Sequence, residues 1–467
     1  MTAVAILGIC LSLGLLMYLA YRGINVLLLA PLMALLAVVF NGGMGAQLLG
    51  TYTQLFMVEL GKYLAKFFPL FMLGALFGKV MDDSGSAKVI AQQIARWAGS
   101  RQAILAIVLA CGVLTYGGVS LFVVAFAVYP IAKSLFREQD IPKRLIPGAI
   151  ALGSFTFTMT ALPGTPAIQN AIPTAYFGTT PFAAPGLGTI GGLIMFLGGM
   201  LWLNRRAHRA HEAGEGYGQH SDQSEVAAAA PGTANPGFTV ALIPIVLVIG
   251  LNFVFTRWLI PSIDTSFLSQ PKYGGIKVGA VAGIWSIVLA VACATVVAFI
   301  ANRRRLANIA DTINKGTLGS MLPVMNTASE VGYGGVVASL PAFAAVRDSM
   351  TSLTSDPVVS IAITVNVLAA VTGSASGGLS IAMASLGDYY LKLAQAAHVS
   401  PEIMHRIASM SSGGFDCMPH NGAVITLLAI CGLTHRESYF DIFVVASGIT
   451  VIAGICVIIV NAMFGTF

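Results

Sequence analysis

Charge is what this sequence has least of. Of its 467 residues 9% are Asp, Glu, Lys or Arg and 56% are hydrophobic, whereas a soluble domain carries about 25% charged residues. So few charges cannot cover a globular surface, and the mean hydropathy of +0.83 agrees with a polytopic membrane protein. Several chemistries are missing as well. None of the six cysteines falls in a CxxC, which argues against a zinc knuckle or a disulfide framework. Cys10, Cys111, Cys293, Cys431 and Cys456 lie in apolar runs as small packing residues, and Cys417 sits in a polar break. There is no HExxH, and GALFGKV at 74–80 lacks both the Walker A spacing and a Ser or Thr after its lysine. GLGTIGG at 186–192 fits GxGxxG but opens an apolar span and follows no strand, so it is no dinucleotide site. The net charge of +6 is spread over loops between spans, which excludes a nucleic-acid footprint. No cofactor and no metal site is expected.

What is present is a succession of apolar runs. Ala3–Tyr21 and Ile24–Phe40 read as spans, and the first lacks the basic flank of a cleavable signal, so it is taken as a retained helix. Met44–Lys66 reads as interfacial, Phe67–Met81 as a span, and a polar connection follows as far as Arg101. Residues 102–136 are too long for one span, and TYGGVS is their only interruption, which fits a re-entrant hairpin. Residues 145–172 form a span broken by TFTMTALPGTP, and a fifth span covers Pro185–Leu203. Residues 204–236 are polar and rich in Ala and Gly, the composition of a flexible linker.

The second half repeats the order. Spans Gly237–Phe255, Val278–Ala301 and Thr317–Leu340 precede a hairpin at 357–386, a broken span at 401–433 and a last span, Tyr439–Phe464. GGVSL at 117–121 stands against GGLSI at 377–381, and GSF at 153–155 against GGF at 413–415. Five crossings plus one hairpin make an odd count, so residues 1–203 and 237–467 are expected as inverted-topology repeats. The fold class is thus an all-α polytopic membrane protein of two such repeats, each with five transmembrane helices, a re-entrant hairpin and a broken helix after it. Most of the 25 Lys and Arg fall on the side reached after the first span. The positive-inside rule then places the linker in the cytoplasm and both termini in the periplasm.

The candidate site lies where helices break. At each hairpin tip a second half-helix begins with unpaired amides at a positive dipole end, suited to a carboxylate. Gly117, Gly118 and Ser120 form one such tip; Ser374, Ser376, Gly377, Gly378 and Ser380 form the other. Small-residue helix packing is the competing explanation of such clusters. In the first broken span Thr165 is placed to cap a half-helix with Pro166 at its first position, preceded by Thr156, Thr158 and Thr160. In the second, Asn421 caps the half-helix that follows. Ionisable residues at membrane depth are functional candidates, and Glu330, Asp416 and His420 qualify as proton-coupling groups. Asp416 and His420, four apart, share a face if their segment is helical. A structural hydrogen-bonded pair is the alternative. His398, His405 and His435 lie at loop edges and read as solvated, and HRAHE at 208–212 lies in the linker.

The order of motifs resembles the gluconate permease (GntP) family of the ion transporter superfamily over nearly the whole chain. The elements are LGALFGKVMDDSGSAKVIAQQI at 73–94, the GGVSLFV and GSAS hairpins, and GLTHRESYF after the second broken span. The resemblance implies a homodimeric elevator-type carrier in a bacterial inner membrane, importing small hydroxy-carboxylates with protons. NVLAAVTGSASGG has no basic residue before its tip, and FDCMPHNG replaces the gluconate members' HVNDSG-like segment. The chain therefore looks closer to the 3-hydroxybutyrate and short monocarboxylate branch than to gluconate carriers. The partners expected are a carboxylate and the lipid bilayer. A sodium-coupled carrier is the nearest rival, since tip oxygens also suit Na⁺. A membrane-embedded enzyme would need a nucleophile–base pair beyond Asp416 and His420, and none is found. A passive anion channel would need a repeated basic face, which no span carries.

Overall fold

An apolar chain that must satisfy its backbone without water folds into helices, and the described residues contain no strand. The computed structural model describes residues 2–467 except 23, 100, 101, 120, 219–234, 344, 346–353 and 420. In the first half α1 (Thr2–Tyr21), α2 (Val26–Phe40) and α3 (Ala46–Asp83) lead to α4 (Ser86–Ala98). The hairpin arms are α5 (Ala103–Tyr116) and α6 (Leu121–Glu138). The first broken segment comprises α7 (Ile146–Ser154), α8 (Phe157–Thr160), α9 (Ile168–Ala171) and α10 (Thr174–Phe177), and α11 (Pro185–Glu212) closes the half. The second half opens with α12 (Phe238–Ser262), α13 (Ala282–Asn302), α14 (Ile309–Gly319) and α15 (Met321–Ala338). The second hairpin is α16 (Pro357–Thr372) and α17 (Ala375–Ala396). It is followed by α18 (Pro401–Ser412), α19 (Gly422–Cys431) and α20 (His435–Phe464). Among the described residues α3, α11, α12, α13 and α20 are long and apolar enough to cross a membrane unaided.

Three boundaries differ from expectation. Met44–Lys66 and Phe67–Met81 are not an interfacial stretch and a separate span, because α3 runs through both, with one π turn at Tyr52–Phe56. The polar connection before residue 101 contains the amphipathic helix α4, whose Ile90, Ala91, Ile94 and Ala95 are buried. The last helix of the first half does not stop at 203 but continues to Glu212. Beyond it Glu215 bonds Arg144 at 2.6 and 2.8 Å and Tyr217 N donates to Asp140 Oδ1 at 2.8 Å, so the stretch expected as linker begins docked.

The helices sort into two bodies, each drawn from both halves. In one, α1–α4 pack with α12–α15, through α2 on α15, α3 on α13, α14 and α15, and α4 on α12. In the other, α5–α11 pack with α16–α20, through α11 on α20, α7 on α20 and α6 on α19. The seam between them is formed above all by α15 against α17 and by α4 against α5. Within the second body an ion-pair knot joins the halves. Asp441, 1% exposed, accepts from Trp202 Nε1 (3.0 Å), Arg206 Nε (2.9 Å) and Arg144 Nη1 (3.1 Å).

Removing one member of a buried charge cluster leaves the others desolvated and unpaired. Asp441→Ala is therefore expected to destabilise the protein by about 3–5 kcal/mol, read as earlier thermal unfolding of the purified protein in detergent.

Candidate functional site

Each hairpin tip is shaped by a glycine with positive φ: Gly118 at +87° and Gly373 at +60°, a conformation only glycine adopts cheaply. At the first tip the Gly117 and Gly118 amides are not free. They donate to Val113 O (3.0 Å) and Thr115 O (2.9 Å), closing the end of α5. The expected anion nest is therefore absent from these two residues, and Ser120 lies outside the described residues. What the first tip does is pack. A Cβ on Gly118 would press on Pro166 at 3.2 Å, and the Tyr116 hydroxyl donates to Pro163 O at 2.5 Å.

At the second tip Ser374 caps α17 by accepting from Gly377 N at 3.0 Å, and Gly378 N bonds Ser374 O at 2.9 Å. Ser376 Oγ lies 3.5 Å from Ser374 Oγ. The Ala375 and Ser376 amides are the first of the helix, without an intrahelical partner. The arms meet closely enough that a Cβ on Gly378 would strike the backbone of Ala369. Gly377 is the contact across the seam: a Cβ there would overlap the Glu330 carboxylate of α15. Glu330 is 5% exposed, and its Oε2 has no hydrogen-bond partner among the described residues. Asn326, one turn earlier, has an unpartnered Oδ1 as well.

The first broken segment departs from expectation. Thr165 does not cap a half-helix that begins at Pro166. Its Oγ1 accepts from Ala167 N at 3.3 Å, and α9 starts at Ile168. The buried threonines upstream donate to backbone carbonyls, Thr158 to Gly153 O (2.8 Å) and Thr160 to Thr156 O (3.1 Å). Two residues whose importance the sequence did not reveal hold this irregular stretch. Asn170 donates to Thr165 O (3.0 Å) and Pro181 O (2.9 Å). Arg406 of α18, wholly buried, donates to Ala183 O (2.7 and 3.1 Å), Thr160 O (3.4 Å), Pro181 O (3.4 Å) and Asn170 Oδ1 (3.1 Å). His405 is likewise buried, not solvated, between Thr179 Oγ1 (2.6 Å) and Asn170 Oδ1 (3.1 Å). Asn170 Oδ1 only accepts, so His405 Nε2 carries the proton and Nδ1 accepts from Thr179. The available signal was the density of apolar residues around His405 and Arg406 in PEIMHRIASM, which an exposed helix end would not have.

In the second broken segment Asn421 caps α19 as expected, accepting from Val424 N at 2.9 Å, and its Nδ2 donates to Asp416 O at 3.0 Å. Residues 413–419 are not helical, so the shared helix face for Asp416 and His420 does not form, and His420 lies outside the described residues. Asp416 is buried with Oδ1 unpartnered. Glu330 and Asp416 share no hydrogen bond. Glycines nevertheless bring each break close to a neighbouring element. Gly118 meets Pro166, Gly413 lies against Thr160 (3.1 Å to Cγ2 from its Cβ position), Gly414 leaves no room for a Cβ beside Asn366, and Gly377 faces Glu330.

Comparisons with known proteins bear on the family and the fold. Residues 3–464 match the GntP family permeases. The chain is 46% identical over 448 residues to the uncharacterized transporter YxjC of Bacillus subtilis (strain 168), covering 94% of each chain. The crystal structure of the Alcanivorax borkumensis YdaH transporter shares the fold at a TM-score of 0.54 and 13% identity. It covers 89% of this chain and 90% of that one.

Gly377→Ala is expected to push the Glu330 carboxylate off the hairpin tip, since the methyl group and the carboxylate cannot occupy one place. Overpacking of this kind costs about 1–3 kcal/mol. A melting temperature below the wild type's, restored in part by Gly377→Ala combined with Glu330→Ala, is the result to look for.

Proposed function

This chain belongs to the GntP permease family and is a multi-pass membrane transporter, and on that premise we propose that it is a proton-coupled symporter of a small organic hydroxy-monocarboxylate. 3-Hydroxybutyrate is the first candidate and gluconate the second. The reading rests on one observation: a buried carboxyl, Glu330, stands unpartnered on one body and directly against the hairpin tip of the other. A charge there without a partner is costly, so the group favours being neutral or paired, and proton loading supplies the neutral state. Proton occupancy of Glu330 then governs how α17 seats on α15, which is the contact that must change if the bodies move past each other.

The carboxylate is bound by the open amides at the start of α17 and α19, with Ser374, Ser376, Asn421 and Asn366 for the substrate's polar groups. Gly117, Gly118, Thr158, Thr160 and Thr165 shape the walls. Arg406 adds positive charge behind them, and Asp416 is a second proton-coupling candidate. The body of α5–α11 and α16–α20 acts as the moving part of an elevator in an inner-membrane homodimer. The two halves act as inverted repeats, with the linker cytoplasmic.

Glu330→Gln is expected to abolish proton-driven accumulation of labelled 3-hydroxybutyrate or gluconate in proteoliposomes while retaining substrate exchange. Full accumulation by the variant removes Glu330 from the coupling. Sodium is the second reading, because Glu330, Asn326 and Ser380 together offer oxygens without partners. Uptake that survives replacement of Na⁺ by choline at fixed pH, but collapses when the pH gradient is dissipated, decides for protons.

A further inference from the structure

Three buried polar atoms on three helices meet where the bodies touch, and none has a hydrogen-bond partner among the described residues. They are Tyr63 Oη on α3, Glu330 Oε2 on α15 and Ser380 Oγ on α17. Their residues are 4%, 5% and 1% exposed. The Tyr63 and Ser380 hydroxyls face each other, and Tyr63 interacts electrostatically with Glu330 and with Tyr176 of α10. Buried polar groups are nearly always satisfied. A site with several convergent, unsatisfied partners is where a buried water belongs, since such waters make two to four hydrogen bonds.

The polar line does not end there. Tyr176 lies against α17 at Gly387 and is half-buried. The Lys66 ammonium of α3 stands 4.6 Å from the Tyr176 ring centroid. Asp388 of α17 is exposed and interacts with both Tyr176 and Lys66. Burial thus falls steadily from Glu330 and Ser380, near the tip of the second hairpin, to Asp388, further along α17 from that tip. The remaining ionisable groups around Glu330 are engaged. Glu59 of α3 pairs with Lys62 at 2.6 Å, and Tyr333 of α15 shares a hydrogen bond with Ser12 of α1 at 2.9 Å. Among the described residues Glu330 has no ion-pair partner on any helix packed against it.

We infer that the seam between α3, α15 and α17 is a water-bridged proton route, leading from Asp388 and Tyr176 through Tyr63 and Ser380 to Glu330. It rests on the reading of Glu330 as the coupling carboxyl and adds the path by which that carboxyl is reached. One proton is taken from bulk water at the Asp388 end. Each water or hydroxyl along the line accepts a proton on its outer side and releases its own on the inner side. One proton arrives on the Glu330 carboxylate, and no bond to carbon changes. Because α3 and α15 belong to one body and Tyr176, Ser380 and Asp388 to the other, the line is continuous only while the second hairpin is seated on α15. Any sliding of one body along the other interrupts it, so that the loaded proton is carried and not leaked.

The test needs no transported substrate. Purified protein in lipid is subjected to a pH jump while the infrared band of protonated carboxyl groups is followed, and the component missing from Glu330→Gln is assigned to Glu330. In Tyr63→Phe and Ser380→Ala that component is expected to keep its amplitude but to respond at least about tenfold more slowly, the loss of one member of a proton relay. An unchanged rate in both variants overturns the route. Loss of the band itself in both also overturns it, since the two residues would then be supports of the site and not carriers. The coupling role of Glu330 is judged separately, by accumulation in Glu330→Gln, so a route that fails here leaves that reading standing.

Discussion

Backbone that leaves the helical path inside an apolar body must find partners for the carbonyls it exposes, and in this protein one guanidinium supplies three of them. Arg406 has no carboxylate within hydrogen-bond reach among the described residues, and its donors go to Thr160 O, Pro181 O, Ala183 O and the Asn170 side chain. An unpaired buried charge is unfavourable, but one fully ligated by carbonyl dipoles is not isolated. The arrangement allows residues 157–183 to run as short helices and turns instead of one rod. It also fastens the first half's break to α18 of the second half. Ser409, which donates to the same Thr160 carbonyl at 2.8 Å, repeats the fastening one turn along.

The consequence is an asymmetry of stiffness between the two bodies and their seam. Within the second body the halves are joined by charged and hydrogen-bonded contacts: Arg406 to the broken segment, and Asp441 to Arg144 and Arg206. Across the seam hydrogen bonds among the described residues are fewer and uncharged, among them Asn252 to Gly164 O (3.0 Å) and Ser385 to Gly334 O (3.4 Å). Beside them, Gly377 facing Glu330 and Gly117 facing Ile245 of α12 let a larger side chain approach bare backbone. Few directional bonds would have to break for such surfaces to slide. Pro31, Pro69, Pro130 and Pro244 lie inside helices, a feature tolerated where neighbours re-satisfy the backbone.

Much of this was legible in the residues. The apolar runs give the spans, because burial in lipid demands length and hydropathy that no other context does. Both hairpins could be read because each long run is interrupted only by glycine and hydroxyl residues, and Asn421 could be read as a cap from its place before an apolar stretch. The tip amides were misjudged at Gly117 and Gly118, since sequence does not say whether a helix end folds its amides back on its own carbonyls. Arg406 and His405 went unread because a charged residue near a helix start looks the same whether its surroundings are water or carbonyl oxygens. Tyr63 was hidden for a related reason: the groups it faces, Glu330 and Ser380, lie hundreds of positions away. The helix α3 was divided in two because Glu59, Lys62 and Lys66 lower the local hydropathy, although tertiary packing against α13, α14 and α15 keeps it continuous.

The weaving of the chain also sets mechanical terms. The polypeptide passes between the bodies three times: between Ala98 and Ala103, between Glu212 and Phe238, and between Ala338 and Pro357. The first passage is much the shortest. Its five Cα-to-Cα steps span at most roughly 17 Å when fully drawn out. The end of α4 and the start of α5 are therefore on a short leash, so any travel of one body relative to the other would be least beside that point. In such a motion the covalent chain itself would serve as the pivot, whatever forces act on the interface.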